Sequence, residues 1–264
     1  MPIVGVDSLI AATKQRVPIT KTGARTTVAA GWFSLFDVAG QPGAGTLGGS
    51  STAAGVVPDD TVAGFPPINA FGGGATGYIT KVEYSSSVAC RIALFDCLFK
   101  AGAYAFGANQ ALTGQPSFAS RVPGGDYKNL EIWVEQVTAA TGNQAVNVTY
   151  VDQDGNAGAT TGATGIGAAP TQGRCWQLPL ASGDSGVQQI TNVQGSVASA
   201  GTFNVLVLRP LWEARVKIAN DGDLHDFLKT GMPQVYDTSA LFMLVAPDST
   251  ASGIPDLHIQ IANG

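Results

Sequence analysis

The sequence predicts a mainly β protein, an antiparallel β-sandwich or jelly-roll-like body with an extended N-terminal arm and long glycine-rich loops. Three observations lead there. Short runs rich in β-branched and aromatic residues recur along the whole chain, and several alternate apolar with polar residues. Helical periodicity is confined to two short stretches. No rhythm of strand, helix, strand exists that would build a parallel sheet.

In chain order, Asp7-Ser8 could cap a helix over Leu9–Gln15. Strands are expected at Thr26–Val38, Tyr78–Tyr84, Val88–Phe95, Asn129–Val137, Ala145–Val151, Cys175–Leu180 and Val187–Val193. The series continues with Thr202–Leu208, Glu213–Ile218, Ala240–Ala246 and Leu257–Ile261. In the last of these Leu257, Ile259 and Ile261 oppose His258 and Gln260, the mark of one buried and one wet face. A second helix is expected at Asp223–Lys229, with Gly231 as its C-terminal stop.

Two segments lack periodicity, Gly40–Gly74 and Asp152–Gly173. Loops this long are uncommon in compact domains and are often ordered by a partner. The first suggests a division into an arm, residues 1–40, and a body, residues 41–264. Lys14, Arg16, Lys21 and Arg25 give that arm a basic character suited to an acidic surface.

Charged residues make up 12% of the chain, against a usual ~25%. The surface must be largely Gly, Ala, Ser, Thr, Asn and Gln, which loses little when buried against a partner. Net charge is −5 and no Lys/Arg cluster occurs, so no nucleic acid is expected as a partner. No run approaches the ~18 apolar residues of a membrane span, and no charged and apolar leader opens the sequence. The three cysteines, Cys90, Cys97 and Cys175, form no disulfide framework and no C-x-x-C pair, which fits a chain made in a reducing cytosol.

Several short motifs suggest chemistry. Gly72, Gly74 and Gly77 spell G-x-G-x-x-G, but Pro66-Pro67 lead in and a strand pattern follows where a dinucleotide loop needs a helix. Gly183-Asp184-Ser185-Gly186 matches the nucleophile signature of trypsin-like proteases. Both histidines, His225 and His258, lie downstream of the serine, so a hairpin turn is expected instead. Asp152 and Asp154 open like a calcium loop, yet Ala163 stands where the bidentate Glu belongs. Asp221-Gly222-Asp223 suits a helix N-terminus better than a metal. Glu131 and Glu135 flank Trp133 on one strand face, which allows glycosidase chemistry or a wet outer face. The expectation is no enzyme, no cofactor and no metal.

Two stretches, "AGWFSLFDVAGQPGAGTLGG" (Ala30–Gly49) and "TGMPQVYDTSALFMLVAPDSTASGIPDLHIQIANG" (Thr230–Gly264), resemble virion structural proteins of tailed bacteriophages. The resemblance implies a capsid cement (decoration) or related head protein, assembled in the host cytoplasm and located in the virion. Its partners would be the major capsid protein and further copies of itself, as a homotrimer at three-fold positions. A tail-tube protein or the capsid subunit itself are the alternatives within the particle. A carbohydrate-binding or hydrolytic β-sandwich, with Trp133 or Trp176 as a stacking platform, is the alternative of another class.

Overall fold

The structure is a computed structural model and describes residues 3–73, 75–166, 169–195 and 200–264. A short helix, α1 (Val6–Ala11), leads into β1 (Thr13–Lys21), β2 (Trp32–Ser34) and β3 (Gly40–Gln41). Then come β4 (Gly77–Ser86), β5 (Cys90–Ala105), β6 (Asn109–Ala111), β7 (Glu131–Thr138), β8 (Val146–Asp152) and β9 (Ala157–Thr160). The chain continues through β10 (Arg174–Leu178), β11 (Val187–Gly195), β12 (Thr202–Val216) and β13 (Asp221–His225). It ends with α2 (Phe227–Thr230), β14 (Gln234–Val235), β15 (Leu241–Pro247) and β16 (Pro255–Asn263).

The expected antiparallel, sandwich-like β body is what forms, and it has three layers. The middle layer is a closed barrel in the order β10-β2-β15-β5-β12-β7. One outer layer is the sheet β13-β4-β16-β1-β3 with β14 beside β4, and the other is the sheet β6-β11-β8-β9. The two-residue side-chain period explains the layering. In β7, Trp133 points into the barrel, where Phe95, Cys175, Leu206, Leu208, Phe242 and Leu244 meet it. Its neighbours Ile132 and Val134 point out, against Val146, Val148, Tyr150 and Ile190 of the four-stranded sheet. On the opposite side, Ile92, Met243 and Val245 pack against Ile79, Leu257, Ile259 and Ile261.

Strands β5 and β12 pair antiparallel along almost their whole length and belong to both outer interfaces. Ile92 and Leu94 serve one, Leu98 and Phe99 the other. In β12 the same exchange separates Val205 and Val207 from Trp212 and Ala214.

Several expectations are corrected. The first helix spans Val6–Ala11, not Leu9–Gln15, because Thr13, Val17, Ile19 and Thr20 favour the strand that follows. That strand pairs with β16 from Thr13–Asn263 to Thr20–Asp256, so residues 13–21 are part of the body and not of an arm. The strand expected over Thr26–Val38 shrinks to Trp32–Ser34. The two expected at Thr202–Leu208 and Glu213–Ile218 are one strand, with Pro210 at a register shift that spares it a ladder bond. Asp221 and Asp223 lie on β13, and the second helix begins only at Phe227 with Asp226 as its N-cap. Gly231, left-handed at φ 67°, is the expected stop.

The described residues of the two long segments are bonded within the chain itself. The first carries β3 and crosses β5, where Val56 and Lys100 exchange backbone bonds of 2.8 and 2.9 Å. The second contains β9 and a bridge from Thr164 to Val146, although Gly167 and Ala168 lie outside the described residues.

Candidate functional site

The motifs that suggested chemistry are engaged in structure. Gly77 opens β4 beside Val235 and Asn263, so a strand follows the G-x-G-x-x-G glycines, of which Gly74 lies outside the described residues. In Gly183-Asp184-Ser185-Gly186, Asp184 accepts the Tyr150 hydroxyl at 2.6 Å, and the Ser185 and Gly186 amides both donate to the Gln153 side chain. This is a strapped turn. The histidines are elsewhere. Trp212 Nε1 donates to His225 Nδ1 at 2.9 Å, which leaves the proton on Nε2, 3.3 Å from the Tyr84 hydroxyl. His258 Nε2 lies 3.1 Å from Asp256 Oδ1.

Asp152 spends both carboxylate oxygens on the β8–β9 turn. They accept the Asp154 amide at 2.8 Å, the Asn156 amide at 2.9 Å and the Asn156 side chain at 2.8 Å. The Asn156 side-chain bond, with these amides, holds the Asp152 carboxyl below its usual range. Asp154 accepts from Gln153. Among the described residues no group of three or more His, Cys, Asp or Glu is arranged to hold a metal.

The face carrying Glu131, Trp133 and Glu135 is not wet; it is the barrel interior. Trp133 is 3% exposed and Trp176 6%, so neither offers a ring to a sugar. Trp133 Nε1 donates to Glu131 at 2.7 Å. Burial raises the Glu131 carboxyl and that bond offsets part of the rise. Glu135 is deeper and accepts Asn204 Nδ2 at 2.9 Å, with Lys100 Nζ 3.9 Å away.

That last trio lies beneath an apolar groove of ≈ 480 Å³. The segment after β3 builds it. Phe36 and Phe65 pack with ring centroids 4.7 Å apart, and Val56, Val57, Pro58 and Val62 complete the walls. Gly64 makes the wall possible: its φ is 102°, and a Cβ there would sit 2.5 Å from the Phe36 ring. Lys100 crosses the floor, donating to the Thr46 carbonyl at 3.3 Å with its ammonium 5.1 Å from the Phe36 ring centre. Asn204 ties the floor to the wall through the Leu47 carbonyl at 2.7 Å. Glu135 Oε1 and Asn204 Oδ1 are buried there without a partner. Burial pushes the nearby Cys97 thiol up to about 12. The arrangement suits binding: apolar walls, one cation, one acceptor-rich floor.

A second concavity of ≈ 470 Å³ is lined by Arg16, Glu83, Asp223, Asp256 and His258 on the outer face of the β1-β16-β4 sheet, where charges of both signs alternate. Sequence reasoning missed the groove because its parts come from Phe36, Val56–Phe65 and Lys100. Their one advance signal was a glycine-rich segment containing Val56, Val57, Val62 and Phe65.

No family model matches the chain, and no curated protein is similar to it. Among solved structures, a particle of infectious bursal disease virus Gx strain is 10% identical over 96% of this chain and 80% of the other, with a TM-score of 0.17. The VP2 subviral particle of infectious bursal disease virus is 11% identical over 96% and 80%, also with a TM-score of 0.17. Scores this low establish no common topology, and nothing is carried over from those particles.

Proposed function

We propose that the chain is a non-enzymatic virion structural protein, a cement or decoration protein of a tailed-phage capsid. The observation that carries this reading joins the sequence resemblance to the fold. The two stretches with phage-virion character, Ala30–Gly49 and Thr230–Gly264, are hydrogen-bonded neighbours. Phe33 pairs with Val245 and Ser34 with Leu244 where β2 meets β15, and Ala30 donates to the Pro247 carbonyl at 2.7 Å. The two stretches therefore meet where β2 pairs with β15, and each also reaches the outer sheet, through β3 and β16.

The surface supports the same reading. Val4, Val6, Ile10, Val56, Val62, Ile218 and Leu228 stand exposed on a chain with few charges. Burying such a surface costs little desolvation. A contact of ~1,600 Å², repeated over a shell, would reinforce joints between capsomers. The proposed partners are the major capsid protein and further copies of this chain, arranged as a trimer. Assembly in the host cytoplasm fits three free, buried cysteines.

The test is quantitative mass spectrometry of purified virions with imaging of the particle. Many copies at three-fold positions on the head are expected. Rings along the tail would make the chain a tail-tube protein. A chain that forms the shell itself would be the capsid subunit. Absence from virions would overturn the reading.

A further inference from the structure

We propose that Lys100 and Asn204 join in a self-catalysed isopeptide bond, with Glu135 as the proton carrier. Three neighbouring barrel strands bring the trio together. Asn204 of β12 stands directly opposite Glu135 of β7, and Lys100 of β5 stands opposite Leu206, two residues along β12 on the same face. Asn204 Nδ2 donates to Glu135 Oε2 at 2.9 Å, and Lys100 Nζ lies 3.9 Å from that same oxygen. The two nitrogens also reach consecutive carbonyls of one segment, Nζ that of Thr46 at 3.3 Å and Nδ2 that of Leu47 at 2.7 Å. Amine, carboxamide and carboxylate therefore share one small volume.

That volume is shielded from water. The Lys100 and Glu135 side chains are 10% and 1% exposed, and Asn204 is fully buried. Two acceptors on Nδ2 fix the orientation of the carboxamide, which sets Oδ1 against Gly102, where a Cβ would collide with it. Glycine there lets the carboxamide lie over β5, the strand that carries Lys100. Glu135 Oε1 and Asn204 Oδ1 have no hydrogen-bond partner. A purely structural pair this deep would be expected to complete its bonds, and groups left incomplete are a mark of reactive sites.

The chemistry balances within the trio. A proton passes from Lys100 Nζ to Glu135 Oε2, which leaves a neutral amine beside a neutral acid. The Nζ lone pair attacks Asn204 Cγ, and the new N–C bond forms. Glu135 gives its proton to Nδ2, with which it is already in contact, and the Cγ–Nδ2 bond breaks. The departing ammonia takes up the second proton that Nζ sheds, so Glu135 ends as the carboxylate it was. Nothing is oxidised or reduced. Fixed proximity replaces a bimolecular encounter, and the scarcity of water suppresses hydrolysis of the amide. The inference rests on these three residues and not on the virion reading. Absence from virions would sink that reading and leave this one standing.

The test is intact mass spectrometry of the folded full-length chain, followed by tryptic mapping. We expect a mass roughly 17 Da below that of the sequence, the loss of one ammonia. The map should join the peptide holding Lys100 to the one holding Asn204 and lose cleavage after Lys100. Lys100→Arg keeps the cation and removes the amine nucleophile, and it should show its full sequence mass, as should Glu135→Gln. Should either variant fail to fold, the wild-type map decides alone. Full mass with separate peptides in the wild-type chain would overturn the proposal, and so would an ammonia loss that maps elsewhere or persists in Lys100→Arg. Linkage in Glu135→Gln as complete as in wild type would overturn the role given to Glu135.

Discussion

The carboxylate of Asp96 and the guanidinium of Arg121 meet at 3.2 Å with the two side chains 0% and 3% exposed. Arg209 reaches the other oxygen at 3.1 Å, and the Ser239 hydroxyl and Ala240 amide add bonds of 2.8 and 3.0 Å. Arg121 also donates to the carbonyls of Pro58, Thr238 and Cys97. One arginine thus ties the groove-forming segment, the turn before β15 and strand β5 to a single buried anion.

Asp96→Asn is expected to destabilise the chain by about 3–5 kcal/mol, because it leaves two guanidinium groups buried against a neutral amide. Arg121→Met should cost a similar amount and also loosen the segment around Pro58. Denaturant unfolding checks both. A loss of under about 1 kcal/mol for either would mean the network is not structural.

His225 gives a pH dependence. Burial holds its pKa below the usual imidazole value and Lys229 adds to this, while Asp223 and Asp226 pull the other way. The unfolded chain takes up the proton near pH ~6.5 and the folded chain only at lower pH. The contribution is therefore complete above ~6.5 and lost as pH falls through the folded value. Wild type should lose melting temperature between about pH 7 and about pH 5 more steeply than His225→Gln. Equal slopes in the two proteins would assign the dependence to other groups.

Lys21 is buried, and burial lowers its pKa from 10.5 to about 8, with Asp37 offsetting part of the shift. Its ammonium donates to the Val38 carbonyl at 3.1 Å. A lowered lysine favours folding when it is neutral and loses that advantage as pH falls through about 8. At neutral pH the folded state carries a buried charge. Lys21→Met should gain on the order of 1 kcal/mol there, and the gain should shrink as pH rises above the folded value. Paired thermal melts at neutral and alkaline pH read it. A Met variant that melts lower at neutral pH would show that the Val38 bond outweighs the desolvation.

Gly55 has φ 68°, and a Cβ there would stand 2.2 Å from the Phe99 ring. Gly55→Ala is expected to cost ~1–3 kcal/mol through both strain and overpacking. An unchanged unfolding midpoint would show that the segment yields freely.

Calcium should leave the melting temperature unchanged. Asp152 has no oxygen free of the Asp154 and Asn156 donors. Scanning calorimetry with and without millimolar calcium checks this, and an upward shift would mean that the turn reopens to bind.

Where a residue pattern reports its own environment, the sequence could be read. Leu257, Ile259 and Ile261 alternate with His258 and Gln260, and β16 has one buried and one wet face. Gly231 stops a helix as its type predicts. The pattern failed where a strand is buried on both sides. Trp133, Glu135 and Asn204 face a barrel interior that no local signal announces, and Glu135 reads as surface until Lys100 and Asn204 are brought to it. Short strands failed too: β3 and β14 have two residues each and exist only because a longer strand is there to receive them. The groove was invisible for the same reason, since Phe36, Val62 and Lys100 have no shared periodicity.

The pairing of β1 with β16, from Thr13 opposite Asn263 to Thr20 opposite Asp256, carries a consequence for how the protein is made. A ribosome releases Thr13 long before Asn263, so β1 must wait through the synthesis of β2 to β15 for its long neighbour. During that interval Val17 and Ile19 have no sheet to cover them. Contacts of such sequence separation are slow to close and leave an unfinished strand edge available to other nascent chains. Pro18 and the basic Lys14 and Arg16 on that strand are the residue types that discourage such pairing, so they protect the chain during the period when it cannot yet fold.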